Sequence, residues 1–255
     1  MVLTVDVGNT NIKLGGFEEE QLIFSAAIAT QTQYTADDYA CSLLRVFDLY
    51  QVLPAQVQGV ILSSVVPPLL PVLKQALKRL IHRRVLTVGP GMKTGLFVRM
   101  ENPGRLGSDF VCAAVGAAQF VKPPCVVFDL GTATTVTALD TSGALVGTAI
   151  LPGMSISLQA LSKQTAQLPL ISPDRADSPL GKTTEEAMKA GILYGTACMI
   201  DGLYQRYCAL LGDGTSLLLT GGNAPLILPY CQTGPRYEKD LILVGLRRIY
   251  EKNKG

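Results

Sequence analysis

The sequence predicts an α/β protein built from two related domains, and three observations carry that prediction. Its 255 residues suffice for two cores of roughly 100–150 residues each. Three strand-like runs followed by alternating helix and strand occur from the N-terminus and again from residue 125, the pattern of a duplication. Each copy also opens with an apolar run that ends in Asp-x-Gly, VLTVDVGNT at 2–10 and CVVFDLGTATT at 125–135. The seam falls near residue 118, giving domains at 1–118 and 119–255.

Each element follows from local pattern. Residues 2–7 read as a buried strand, and 12–17 as a second after the Gly8-Asn9-Thr10 turn. FEEEQL makes the next turn and LIFSAAIAT a third strand. TADDYACSLLRVFDLY has helical spacing, with Thr35 as a cap and Asp37 and Asp38 in the first turn. VQGVILSSVVPP is a strand that runs into prolines, LLPVLKQALKRLIHRR a helix, and VLTVG a short strand. GSDFVCAAVGAAQFV is helical and rich in small residues, which permits close packing. In the second copy, CVVFDL, TVTALD and ALVGTAIL are strands, and SISLQALSKQTAQL and TTEEAMKAGILYGTACMIDGLYQRYCALL are helices. SLLLTGG is a strand meeting glycines, and DLILVGLRRIYEKN a closing helix. PLISPDRADSPLGKTT reads as a loop of a length that often carries function.

Composition narrows the class. At 48% hydrophobic and 16% charged residues, disorder is excluded. A net charge of +2 gives no electrostatic case for nucleic acid or an anionic membrane. The basic LKRLIHRR cluster suits a solvated helix C-terminus. The six cysteines show no Cys-x-x-Cys spacing, which fits reduced thiols better than a metal site or a disulfide framework. Asp6 interrupts any signal-like apolar core, and no apolar run approaches the length of about 18 residues that spans a bilayer. A cytoplasmic protein is expected.

The repeated turns carry the chemistry. Aligning Asp6 with Asp129 also aligns Gly8 with Gly131 and Asn9 with Thr132. Glycine leaves backbone N–H groups uncovered, and a concavity of such groups binds phosphate oxygens. A carboxylate beside phosphate needs a cation between them, and Lys13 adds positive charge from the next strand. Either turn alone also reads as an ordinary Asp/Gly turn. Two at matching places favour one polyphosphate gripped by a turn from each domain. SLLLTGGNAP ends a strand in Thr220, Gly221 and Gly222 before a helix. That pattern suits either a ligand at a helix N-terminus or a simple strand-to-helix turn.

The duplicated strand-turn pair resembles the actin and sugar-kinase superfamily. This resemblance implies two ribonuclease-H-like domains with the nucleotide cleft between them. The ordered set DVGNTNIK, SSVVPP, ENPGRLGSD, DLGTATT, ILPGMSISLQAL, GKTTEEAMKAGILYG and LLTGG resembles type III pantothenate kinases across nearly the whole chain. The resemblance implies ATP-dependent phosphorylation of pantothenate, the first step toward coenzyme A, with Mg2+ accompanying ATP. It assigns Asp6, Val7, Gly8, Asn9, Thr10, Asn11, Ile12 and Lys13 to the first ATP-phosphate motif, and Thr132, with Gly131, to the second. Asp129 matches a position holding a monovalent cation, K+ or NH4+. Gly107, Ser108, Asp109 and Phe110 match the substrate motif, with Asp109 as catalytic base. Thr184 matches a substrate contact reaching across from the other subunit of a homodimer with shared active sites, in a segment whose apolar stripe of Ala187, Ile192 and Leu193 needs cover.

A base is also required by the chemistry, since the hydroxyl must lose its proton. The only histidine, His82, lies in the basic helix tail, so a carboxylate must serve. Asp109 also reads as a plain helix N-cap. Phe110 stands where the family usually has Arg, and Met100 where it tends to have Tyr. Both fall on the pantothenate side, and Arg105 and Arg99 are the nearby replacements for a guanidinium. Two other functions share the sequence features: a kinase of the same fold acting on another small alcohol, and a non-catalytic nucleotide-binding regulatory partner.

Overall fold

The computed structural model describes residues 1–254, and residue 255, the last of the expected 119–255 domain, lies outside the described residues. Contacts divide the chain into two compact units. The first comprises residues 1–96, 101–119 and the segment from Asp240 onward; the second comprises 97–100 and 120–239.

In the first unit, β1 (Val2–Val7), β2 (Asn11–Glu18) and β3 (Gln21–Ala29) form an antiparallel meander. On the other side of β1, β4 (Gly59–Ser64) and β5 (Val85–Thr87) run parallel, giving the order β3-β2-β1-β4-β5. Strand β1 is central, so Leu3 to Val7 are all buried, as a strand covered on both faces should be. Helix α1 (Ala36–Leu49) starts with a reciprocal cap: Asp38 N–H donates to the Thr35 hydroxyl and Thr35 N–H to the Asp38 carboxylate. Its buried stripe of Tyr39, Leu43, Val46 and Phe47 shares a core with Leu69, Leu73, Ala76 and Leu77 of α2 (Leu69–Ile81). Helix α3 (Ser108–Ala117) follows.

The second unit repeats the plan. Strands β6 (Cys125–Leu130), β7 (Ala133–Leu139) and β8 (Leu145–Pro152) form the meander. Helices α4 (Met154–Gln164) and α5 (Thr184–Leu211) come next, then β9 (Ser216–Thr220), α6 (Ala224–Ile227) and β10 (Arg236–Tyr237). The order β10-β9-β6-β7-β8, with β9 parallel to β6 and β10 parallel to β9, matches the first sheet strand for strand. Residues 97–100 belong here because Val98 bridges to Leu145, with bonds of 2.8 Å from Leu145 N–H to Phe97 O and from Arg99 N–H to Leu145 O.

The closing helix α7 (Leu241–Glu251) lies in the first unit, whereas the expected division at 118/119 put it in the second. The reason is a backbone-to-backbone contact with α3. A Cβ on Gly116 would stand 2.2 Å from the Leu241 carbonyl oxygen, and one on Gly245 would stand 2.0 Å from that of Cys112. The small residues read in α3 allow this approach, and only glycine fits at the crossing. Two further elements are shorter than expected. Helix α4 ends at Gln164 rather than 168, with Thr165 already in extended backbone (φ −124°, ψ 147°). The helix after TGG is only four residues long.

Replacing Gly245 with Ala forces two backbones apart, since the obstructing atoms are main-chain. The expected cost is about 1–3 kcal/mol, as for other overpacked cores. Urea unfolding of Gly245→Ala against the parent measures it, and an unchanged midpoint would show that the α3–α7 contact does not limit the packing.

Candidate active site

The first Asp-x-Gly turn joins β1 to β2. Gly8 N–H donates to Asn11 O at 3.0 Å, and the Thr30 hydroxyl donates to Gly8 O at 2.7 Å. Asn9, Thr10 and Asn11 are exposed at the tip, whereas the side chains of Val7 and Ile12 are buried in the core. Only the backbone of those two residues can therefore face a ligand. Asp6 sits opposite Lys13 on β2 and beside Ser63 on β4, so the three side chains share one face of the sheet. Asp6 is 9% exposed, and its Oδ1 accepts a 2.6 Å bond from the Ser63 hydroxyl.

Asp109 stands in the first turn of α3. The N-cap position belongs to Gly107, and no side chain caps this helix; the plain capping role therefore does not describe Asp109. Its Oδ1 is shut off from solvent without a hydrogen-bond partner. Burial raises its pKa, against the pull of the Phe110 and Asp109 amides. The carboxylate folds back so far that a Cβ on Gly107 would lie 2.3 Å from Oδ1. Three residues on, the buried Cys112 thiol is pushed well above its ordinary value by burial first, and then by the charges of Asp6 and Asp109. The two carboxylates thus share one neighbourhood. The start of α3 is also tied to the end of β4, as the Ser108 hydroxyl donates to Ser64 O at 3.3 Å. Phe110 is buried, at 7% exposure.

In the second unit, Asp129 occupies the place on β6 that Asp6 holds on β1, next to Thr220 of β9. Gly221, at φ +93°, lets the carboxylate lie over it, since a Cβ there would be 2.4 Å from Asp129 Oδ1. The Gly131-Thr132 turn is closed by Gly131 N–H donating to Ala133 O at 3.1 Å. Asn223 braces it, donating from its amide side chain to Gly131 O at 3.2 Å. Gly153 also approaches it, and a Cβ there would sit 2.1 Å from Thr132 O. The Thr220 hydroxyl oxygen is buried without a hydrogen-bond partner. Carboxylate and hydroxyl donors of this kind suit a hard cation. The four-residue α6 has too few aligned peptides to act as an anion-binding helix terminus, whereas Gly221 makes room for the Asp129 side chain. Thr184, the first residue of α5, is exposed.

A family model described as type III pantothenate kinase matches residues 2–206. This chain belongs to the type III pantothenate kinase family. Type III pantothenate kinases from Exiguobacterium sp. and Moorella thermoacetica are each 39% identical to it over 254 residues, covering 100% and 99% of this chain and 100% of each relative. Among solved structures, a Baf-family protein from Campylobacter jejuni aligns with a TM-score of 0.61 at 20% identity, over 98% of both chains. The activator of 2-hydroxyisocaproyl-CoA dehydratase from Clostridium difficile aligns at 0.54 and 12% identity, over 99% of this chain and 96% of that one. At such identities these likenesses establish the fold alone, an α/β plan with two five-stranded sheets of matching order.

Sequence reasoning singled out Asp6, Lys13 and Asp109, and the first unit holds all three. It missed Ser63, although Asp6 and Ser63 stand next to last in strands of equal length. Of the two arginines considered as replacements near the family's substrate motif, Arg99 is already paired with Asp140 at 2.6 Å and stacked on Phe97. Arg105 is exposed and has no ion pair among the described residues.

Gly107→Ala is a sharp probe. Its φ of −59° accepts alanine, and the obstructed atom is a movable side-chain oxygen. The variant should fold with little change in melting temperature, while the Asp109 carboxylate swings away and kcat falls about 10²- to 10⁴-fold. Retained kcat would mean that the folded-back carboxylate is not the working geometry.

Proposed function

We propose that the chain holds the phosphates of ATP with its two Asp-x-Gly turns and removes the proton from the primary hydroxyl of pantothenate with Asp109. The family supplies the reaction: the chain is a phosphotransferase that makes 4'-phosphopantothenate, the entry to coenzyme A, using ATP with a divalent metal such as Mg2+. The observation that carries the role of Asp109 is its buried, unpartnered Oδ1 in the first turn of α3. A carboxylate whose burial outweighs its amide donors is a stronger base than a solvated one.

The residues take separate tasks. Backbone groups of Gly8 to Asn11 and of Gly131 and Thr132 hold phosphate oxygens, and Lys13 supplies charge from the same face as Asp6. Asp129, with Thr220 beside it, is assigned a monovalent cation, K+ or NH4+, which would offset phosphate charge. Gly107 and Ser108 shape the approach to Asp109. Phe110 is a packing residue of α3 by its burial, so the pantothenate carboxylate is assigned to Arg105, the nearby guanidinium without an ion pair. A cytoplasmic location fits the six free thiols. No helix among the described residues is long and apolar enough to cross a membrane.

A homodimer completes the reading. Of the stripe expected to need cover, Leu193 is already buried in the second unit's own core. The uncovered face of α5 is instead Ala187, Gly191, Gly195 and Cys198, all exposed, with open space where a Cβ on Gly191 or Gly195 would point. Beside it runs an apolar groove of about 480 Å³ lined by Leu161, Leu168, Met188 and Ile192, with Thr184 at one end. A second copy seated there would bring Thr184 to its partner's substrate.

Two experiments test this reading. Asp109→Asn should lose turnover by 10²- to 10⁴-fold while binding nucleotide as the parent does. It should also melt no lower at neutral pH, because burial already disfavours the charged form of Asp109. In the parent, the working carboxylate exists only above its raised pKa. The acid limb of kcat/KM should accordingly fall away at a pH above the ordinary aspartate value of 3.8. A limb at or below that value, or an active Asp109→Asn, would remove Asp109 from the base role. For the dimer, inactive Asp109→Asn and Thr184→Ala chains should regain activity when mixed, by pairing intact halves. No recovery in confirmed heterodimers would show self-contained sites.

A further inference from the structure

Ser63 is assigned no role by the motifs. It is fully buried at 0% exposure, and its hydroxyl proton is committed to Asp6 Oδ1 at 2.6 Å. Its position is fixed by the parallel β1–β4 register, which pairs Asp6 with Ser63. The next residue, Ser64, holds the first turn of α3 through its carbonyl and the Ser108 hydroxyl. Cys112, on the same helix as Asp109, packs buried against Ser63. The end of β4 therefore touches both the Asp6 carboxylate and the helix that carries Asp109. In the second unit the equivalent neighbour of Asp129 is Thr220, whose hydroxyl makes no such bond; the link is particular to the first unit.

We infer that Ser63 is a positioning residue that fixes the Asp6 carboxylate toward the phosphates of ATP through its 2.6 Å hydrogen bond. A carboxylate on a strand end can rotate about two side-chain bonds. One strong donor on Oδ1 restricts that rotation and holds the carboxylate in one orientation. The inference rests on the assignment of Asp6 to ATP made above.

The test compares Ser63→Thr with Ser63→Val, which branch alike at Cβ and differ by a hydroxyl against a methyl of similar size. The probe is the magnesium complex of the non-hydrolysable β,γ-imido analogue of ATP, with its Kd measured by calorimetry. Ser63→Thr should bind within about threefold of the parent. Ser63→Val should bind about 10- to 150-fold more weakly, the range for a lost hydrogen bond to a charged group. The KM for ATP should rise in step and that for pantothenate stay within twofold. In an Asp6→Ala background the Thr and Val forms should bind alike, because the interaction is lost with its acceptor. Equal Kd values for Thr and Val in the parent background would overturn the role of Ser63. An Asp6→Ala chain that binds the analogue normally would instead overturn the assignment of Asp6, and the inference with it.

Discussion

The contact between α3 and α7 is the constraint on which the first unit's site depends. Two glycines, Gly116 and Gly245, let the helices meet main chain to main chain. A side chain at either place would push α3 outward by the width of a methyl group. Because Asp109 and Cys112 both ride on α3, that displacement would be felt at the carboxylate and at its neighbours on β4. Interiors close-packed in this way transmit such shifts rather than absorb them.

Within that frame the two acidic groups of the first unit are kept in opposite conditions. Asp6 is held by a hydroxyl donor at 2.6 Å, on the same sheet face as a lysine, which gives it a fixed direction. Asp109 has one oxygen with no donor and is pushed toward a higher pKa by burial. The first arrangement suits a group that keeps one orientation near phosphate. The second suits one that takes up and releases a proton. Environments that separate like groups in this manner are how a single fold divides acid–base labour. The expense falls on stability, since an undersatisfied buried carboxylate opposes folding.

Much of this was legible in the sequence. Strand runs ending in Asp-x-Gly at 6–8 and 129–131 marked the two equivalent turns, because a turn's chemistry is local. The Thr35 cap was legible for the same reason. The small residues of α3 announced close packing but not the partner, which lies more than a hundred residues away. Ser63 stayed hidden because its meaning comes from register between strands that are distant in sequence. The TGG segment read either as a ligand approach or as a simple strand-to-helix turn; Gly221 makes room for the Asp129 carboxylate, and α6 is a single turn, a contact that local pattern could not announce. Phe110 stood at a motif position and is buried at 7% exposure, a degree of burial that a one-dimensional motif does not announce.

The membership of α7 in the first unit bears on how the protein is made. Synthesis runs from the N-terminus, and domains fold as they emerge. Here the first unit is interrupted, since its last helix follows the whole 120–239 stretch. While that stretch is being translated, the α3 face that receives Gly245 stays open to water. The unit encoded later is thus complete first, and the one encoded earlier waits for α7. Until then its base-bearing helix lacks the clamp that sets it, so the nascent chain holds a finished second core beside an unfinished first one.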